Sequence, residues 1–137
     1  MNRRIIGSVI LALCLSLARP AAADDLAAFH AAVARAALHY QAALDRLDAQ
    51  DADGTTAELV RMRAAWRSLV DRFAATRREA IVAEGDETTT ILTDVDARIV
   101  AAMIVIGIGR PAAARDALQP IADMLLRLRV RGESKPR

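Results

Sequence analysis

Cysteine, aromatic residues and the usual chain breakers are all scarce in this sequence. Of its 137 residues only Cys14 is a cysteine, aromatic side chains make up 3%, and six glycines and four prolines are thinly spread. A lone thiol excludes a disulfide framework and a Cys-x-x-Cys-His haem attachment. The shortage of glycine and proline leaves long stretches unbroken, and no run of alternating β-branched residues fills them, so the pattern argues against strands. Beyond residue 23 the only serines are Ser68 and Ser134, and the only histidines are His30 and His39. With no cysteine in that part either, nucleophilic chemistry is poorly supplied and the expectation is a protein that is not an enzyme.

The first residues are arranged differently from the rest. Arg3 and Arg4 precede an uncharged apolar stretch, Ile5 to Ala18, and Arg19-Pro20 leads into Ala21-Ala22-Ala23 before Asp24. This order is that of a secretory signal peptide cleaved after Ala23, with Ala21 and Ala23 as the small residues of the cleavage rule. The apolar run is shorter than the roughly 20 residues a membrane-spanning helix needs. Two alternatives are an uncleaved anchor and a lipoprotein acylated on Cys14, where Leu13 replaces the usual small residue. The division expected is therefore a leader over 1–23, a helical domain over 24–131 and a flexible tail over 132–137, in a periplasmic protein with no transmembrane segment once the leader is removed. Three of the nineteen basic residues but none of the seventeen acidic ones lie before residue 24, so the remainder carries a net charge of −1. Such a balance offers no electrostatic case for binding nucleic acid.

Four stretches carry helical periodicity. Leu26, Phe29, Val33, Ala36, Tyr40, Leu44 and Leu47 recur at steps of three and four, which puts them on one stripe of a helix from about 25 to 48. Thr55-Thr56-Ala57-Glu58 matches a capping box at the head of a second helix, whose stripe is Leu59, Met62, Trp66, Leu69, Phe73 and Ala80. Its arginines pair along a wet flank. A third helix follows Glu84-Gly85-Asp86-Glu87 and is apolar around its whole circumference from Ile99 to Ile106. Gly109 stops it, Pro111 opens a fourth, and Pro120 should kink that helix before it ends near Arg131.

Connections this short favour antiparallel neighbours, and the fold expected is all-α, an antiparallel up-down-up-down four-helix bundle. Counting outward from the first turn puts Phe29 level with Phe73 and Tyr40 level with Trp66. Gly109 to Pro120 resembles one helix of a tetratricopeptide repeat, but no second copy stands at the 34-residue period.

Three candidate sites follow. His30 flanks the first stripe beside Phe29, and Met124 flanks the fourth at a comparable depth from its helix end, so an imidazole and a thioether would be placed to ligate a haem iron. His39, nine residues from His30, points to the opposite face and is expected to be solvated. On His30 and Met124, export and topology, the chain resembles periplasmic four-helix-bundle b-type cytochromes and their c-prime relatives, over about Asp24 to Arg129. That resemblance implies a haem-binding electron carrier. It departs from the b-type pattern in order, since that family has its Met on the first helix and its His on the fourth.

The second candidate is a hard-cation site, for Ca²⁺ or a trivalent metal, at Asp45, Asp48, Asp51 and Asp53. Asp51-Ala52-Asp53-Gly54 is not an EF-hand loop, because the register would put Ala49 first and Val60 twelfth. A second acidic group, Asp24, Asp25, Glu84, Asp86 and Glu87, should gather at the other end and cap helices. The third candidate is a homodimer surface on the third helix, through Ile99, Met103, Ile104, Val105 and Ile108, since one bundle core can bury only one stripe of so apolar a segment. The reading that covers these features is a periplasmic, non-enzymatic binding or accessory protein, with haem and hard-cation binding as its alternatives.

Overall fold

Each periodic stretch is one helix in the computed structural model, which describes the backbone of residues 21–80 and 85–133 and the side chains of 27–73 and 87–129. Helix α1 spans Ala21–Asp48, α2 Ala52–Ala80, α3 Gly85–Gly107 and α4 Pro111–Glu133. No strand occurs among the described residues. Residues 1–20, which hold most of the expected leader, and the last residues of the expected tail lie outside the described part. Helix α4 runs on to Glu133, two residues into that tail.

The buried positions repeat with unusual regularity. They are Val33, Ala36, Tyr40, Ala43 and Leu47 on α1, and Thr55, Leu59, Met62, Trp66 and Leu69 on α2. Those on α3 are Leu92, Val95, Ile99, Ala102 and Ile106, with Ile91 beside them, and those on α4 are Ala114, Leu118, Ile121, Leu125 and Leu128. Each helix thus alternates steps of three and four, a mean period of 3.5, which keeps one narrow seam facing the same partner along its whole length. The seams meet in a single core, α1 packing most extensively on α2 and α3 on α4, with α2–α3 and α1–α4 contacts closing the ring. This packing is that of a helical bundle.

The two largest buried side chains with polar ends tie opposite sides of the ring. Trp66 is fully buried and its indole Nε1 donates to the Leu92 carbonyl of α3 at 2.8 Å. Tyr40 donates its hydroxyl to the Leu118 carbonyl of α4 at 3.2 Å. Each bond satisfies a polar group that would otherwise be stranded among apolar atoms. Tyr40 and Trp66 therefore reach to different helices. Phe29 and Phe73 do meet across α1 and α2, with ring centroids 5.9 Å apart and the rings tilted at 47°. Helix α4 continues through Pro120. The Tyr40 hydroxyl sits there between the Leu118 carbonyl and the backbone of Ala122, in the stretch where the proline removes one amide from the ladder.

The first turn departs from the expected capping box. The Thr55 amide bonds the Asp51 carbonyl at 2.9 Å, so α2 is already under way three residues before Thr55. Asp51 is the cap, its carboxylate accepting the Gly54 amide at 2.9 Å. Thr55 is buried instead, its hydroxyl donating to the Asp51 carbonyl at 2.6 Å, and Glu58 reaches away to α1. An aspartate cap ahead of the threonine wins because its carboxylate reaches the third amide of the helix directly, leaving the Thr55 side chain free to fill a core position.

Candidate functional site

Which flank of a helix faces which neighbour can be read from the pairs between helices. Asp48 of α1 pairs with Arg115 of α4, and His39 of α1 with Glu58 of α2. His30 precedes Asp48 by eighteen residues, five whole turns, so it occupies the flank of α1 that faces α4. Met124 follows Arg115 by nine residues, or 900°, and so lies on the flank of α4 turned away from α1. Met124 is half-buried against the core. Helix phase thus turns His30 and Met124 toward different neighbours.

His30 itself differs from a boundary histidine with its polar edge in water. Its ring is 6.1 Å from that of Phe29, and its Nε2 is shielded from solvent without a hydrogen-bond partner among the described residues.

The four aspartates of the first turn are dispersed by local bonding. Asp45 accepts from Gln41 Nε2 at 3.0 Å, Asp48 pairs with Arg115, and Asp51 is held by Arg46 at 3.1 Å as well as by the Gly54 amide. Asp53 stands in the first turn of α2, where a carboxylate complements the helix dipole. Among the described residues no three His, Cys, Asp or Glu side chains gather closely enough to hold a metal ion. Of the second acidic group, the side chains of Asp24, Asp25, Glu84 and Asp86 lie outside the described residues.

Besides Asp48 with Arg115, two further polar pairs were not anticipated. His39 is half-buried and not freely solvated, its Nδ1 lying 3.0 Å from Glu58 Oε2, while Arg61 donates to Glu58 Oε1 at 2.7 Å. The hydrogen bond from His39 holds the Glu58 carboxyl below its usual value, against the opposing effect of desolvation and with help from Arg61. Arg63, expected to pair along its own helix, forks instead onto Asp96 of α3 at 3.0 and 3.5 Å. Both pairs bridge neighbouring helices at the edge of the core. The only signal for them in sequence is that each member flanks its stripe.

The outer face of α3 is the most distinctive surface. Ile99 belongs to the core seam and is removed from any interface, whereas Met103 and Val105 are half-buried. Ile104 and Ile108 stand out at 60% and 64% exposure, uncovered by α4. Between Ala97 and Gly109 every exposed residue is Ala, Ile or Gly: Ala97, Ala101, Ile104, Gly107, Ile108 and Gly109. Ala97, Ala101, Ile104 and Ile108 follow one another at steps of four, three and four, the spacing of the buried seams repeated on the outside. The other helices break their outer faces with charge: Arg35 on α1, Arg61, Arg67 and Asp71 on α2, Arg115, Asp116, Asp123 and Arg127 on α4.

No protein-family model, curated protein or solved structure matches this chain. Among the described residues no helix is long and apolar enough to cross a membrane.

Proposed function

We propose that this chain is an exported, non-enzymatic helical bundle that works as a binding or accessory protein, docking a protein partner on the outer face of α3. The observation that carries the reading is the stripe from Ala97 to Gly109, whose exposed residues are all Ala, Ile or Gly with half-buried Arg98 at its edge, arranged with the period of a helix-packing seam. The polar groups point the same way, since Tyr40, Trp66, Glu58, Arg63 and Asp96 are engaged in joining helices to one another. A bundle whose polar side chains serve its own assembly has few left to converge on a substrate.

The reading includes an alternating up-and-down order of helices. It is supported by the register of the pairs: Phe29 with Phe73 and His39 with Glu58, then Trp66 with Leu92 and Arg63 with Asp96, then Tyr40 with Leu118 and Asp48 with Arg115. In every set one residue number rises as the other falls, the signature of antiparallel neighbours. Export follows from the basic start, apolar run and Ala21-x-Ala23 ending, with the periplasm as destination. Haem and hard-cation binding rank below this reading, given the flanks of His30 and Met124 and the separate partners of the four aspartates.

The test is site-specific photo-crosslinking in the native host. A photoreactive side chain at position 104 should yield a discrete protein adduct from the periplasmic fraction, while the same group at position 127, on the charged outer face of α4, should not. Mass analysis of the same protein should show an N-terminus at Asp24. Equal labelling at both positions, or none at position 104, would refute the docking surface.

A further inference from the structure

We infer that the partner on the outer face of α3 is α3 of a second copy of this chain, laid antiparallel across it; this rests on the docking reading above and names its occupant. The residues of the stripe are complementary to themselves in that orientation. With Ala101 set opposite Ile104 of the partner subunit, Ala97 falls opposite Ile108 of the partner subunit, so each small side chain meets a large one. Two helices can approach closely along such a seam because every isoleucine enters a space left by an alanine. A parallel pairing would instead set isoleucine against isoleucine and alanine against alanine, leaving gaps between the alanines.

Charge selects the same arrangement. Asp94 and Arg110 lie just beyond the two ends of the apolar stripe, and both are exposed. Neither side chain has an ion-pair or hydrogen-bond partner among the described residues. Asp94 is 200° round α3 from Asp96, the residue tied to α2, and so stands on the α4 side; Arg110 leads directly into α4. A two-fold axis across the stripe keeps that side together in both copies. The register that matches alanine to isoleucine therefore brings Asp94 to within one residue of Arg110 of the partner subunit, twice per dimer.

The experiment is sedimentation equilibrium of the full chain, expressed with its own N-terminal segment and with Cys14→Ser so that no native thiol contributes. The chain should show a monomer–dimer equilibrium in the micromolar range. Ile104→Asp should weaken it by at least about tenfold with unchanged helical circular dichroism, since the residue is outside the core. Asp94→Arg and Arg110→Asp should each weaken it by about five- to tenfold, because like charges then face one another at both ends. The double charge reversal should restore affinity to within about twofold of the parent. In a mixture of Ala101→Cys and Ile104→Cys proteins, mild oxidation should favour the mixed disulfide over either homodimer. A monomer at about 200 µM, or a dimer indifferent to Ile104→Asp, overturns self-pairing, and a charge reversal without rescue overturns the antiparallel register. A monomer whose position 104 still crosslinks to a different protein overturns self-pairing alone; a monomer with no adduct at that position overturns the docking reading with it.

Discussion

Replacing Gln50 by glycine should stabilise the protein, and the size of the effect follows from a turn the chain uses twice. At the end of α1 the Gln50 amide bonds the Leu47 carbonyl at 3.1 Å and the Asp51 amide bonds the Arg46 carbonyl at 3.0 Å. At the end of α3 the Gly109 amide bonds the Ile106 carbonyl at 2.9 Å and the Arg110 amide bonds the Val105 carbonyl at 2.8 Å. Both are Schellman turns, which need one residue in the left-handed region. After α3 that residue is Gly109, at φ 76°; after α1 it is Gln50, at φ 58°. An L-residue there costs roughly 1–2 kcal/mol. Glycine returns roughly 0.5–1 kcal/mol of that through its greater freedom in the unfolded chain. The Gln50 side chain is exposed and makes no hydrogen bond among the described residues, so its removal forfeits little else. The net gain for Gln50→Gly should be about 0.5–1 kcal/mol, or roughly 2–5 °C in Tm for a domain of this size. Urea and thermal unfolding followed by circular dichroism at fixed pH would measure it, with Gln50→Ala as the control that keeps the strain. A Gln50→Gly protein no more stable than Gln50→Ala would refute the argument from backbone strain.

Gly54 makes the opposite case, since a Cβ there would lie 2.7 Å from Asp51 Cγ and displace the carboxylate that caps α2. Gly54→Ala should therefore fail to yield the gain of up to about 1 kcal/mol usual for a helical Gly→Ala change, and urea midpoints should show that gain reappearing when Asp51→Ala has already removed the cap. Burial raises the Tyr40 hydroxyl's pKa, opposed in part by the backbone of Ala122. The neutral phenol is thus favoured by folding, and its contribution is intact below the ordinary tyrosine value and lost as pH rises through the folded one. Absorbance at ~295 nm from this single tyrosine should show tyrosinate forming later in the folded protein than in denaturant. For Glu58 the sign reverses: its lowered pKa gives stability that is present above the ordinary glutamate value and lost as pH falls through the folded one. Urea midpoints between about pH 6 and about pH 3 should fall less steeply for Glu58→Gln than for the parent.

The candidate surfaces were unequally legible in the sequence. An excess of apolar residues from Ile99 to Ile108 already required something beyond one core stripe, and Ile104 and Ile108 are indeed left exposed. Ile99 could not be told apart from them by hydrophobicity, because assigning a residue to the inner or outer face depends on helix phase, which a wholly apolar segment conceals. His30 and Met124 looked alike in depth and in distance from their stripes. Sequence spacing locates a flank relative to its own helix but not which neighbour that flank meets.

By itself the sequence determined four helices, their approximate ends and nearly all of their buried stripes, because apolar spacing, glycine and proline act within a few residues of one another. Val33, Ala36, Tyr40 and Leu47, or Leu59, Met62, Trp66 and Leu69, need no partner to be recognised as one face. Tertiary structure alone decided how polar flanks are matched: His39 to Glu58, Arg63 to Asp96, Tyr40 to Leu118, Asp48 to Arg115. It also decided that Asp51 and not Thr55 caps α2, since the burial of Thr55 depends on where the whole bundle places that turn. Local periodicity is a property of one helix, whereas the meeting of two flanks depends on the rotation of both helices about a shared core.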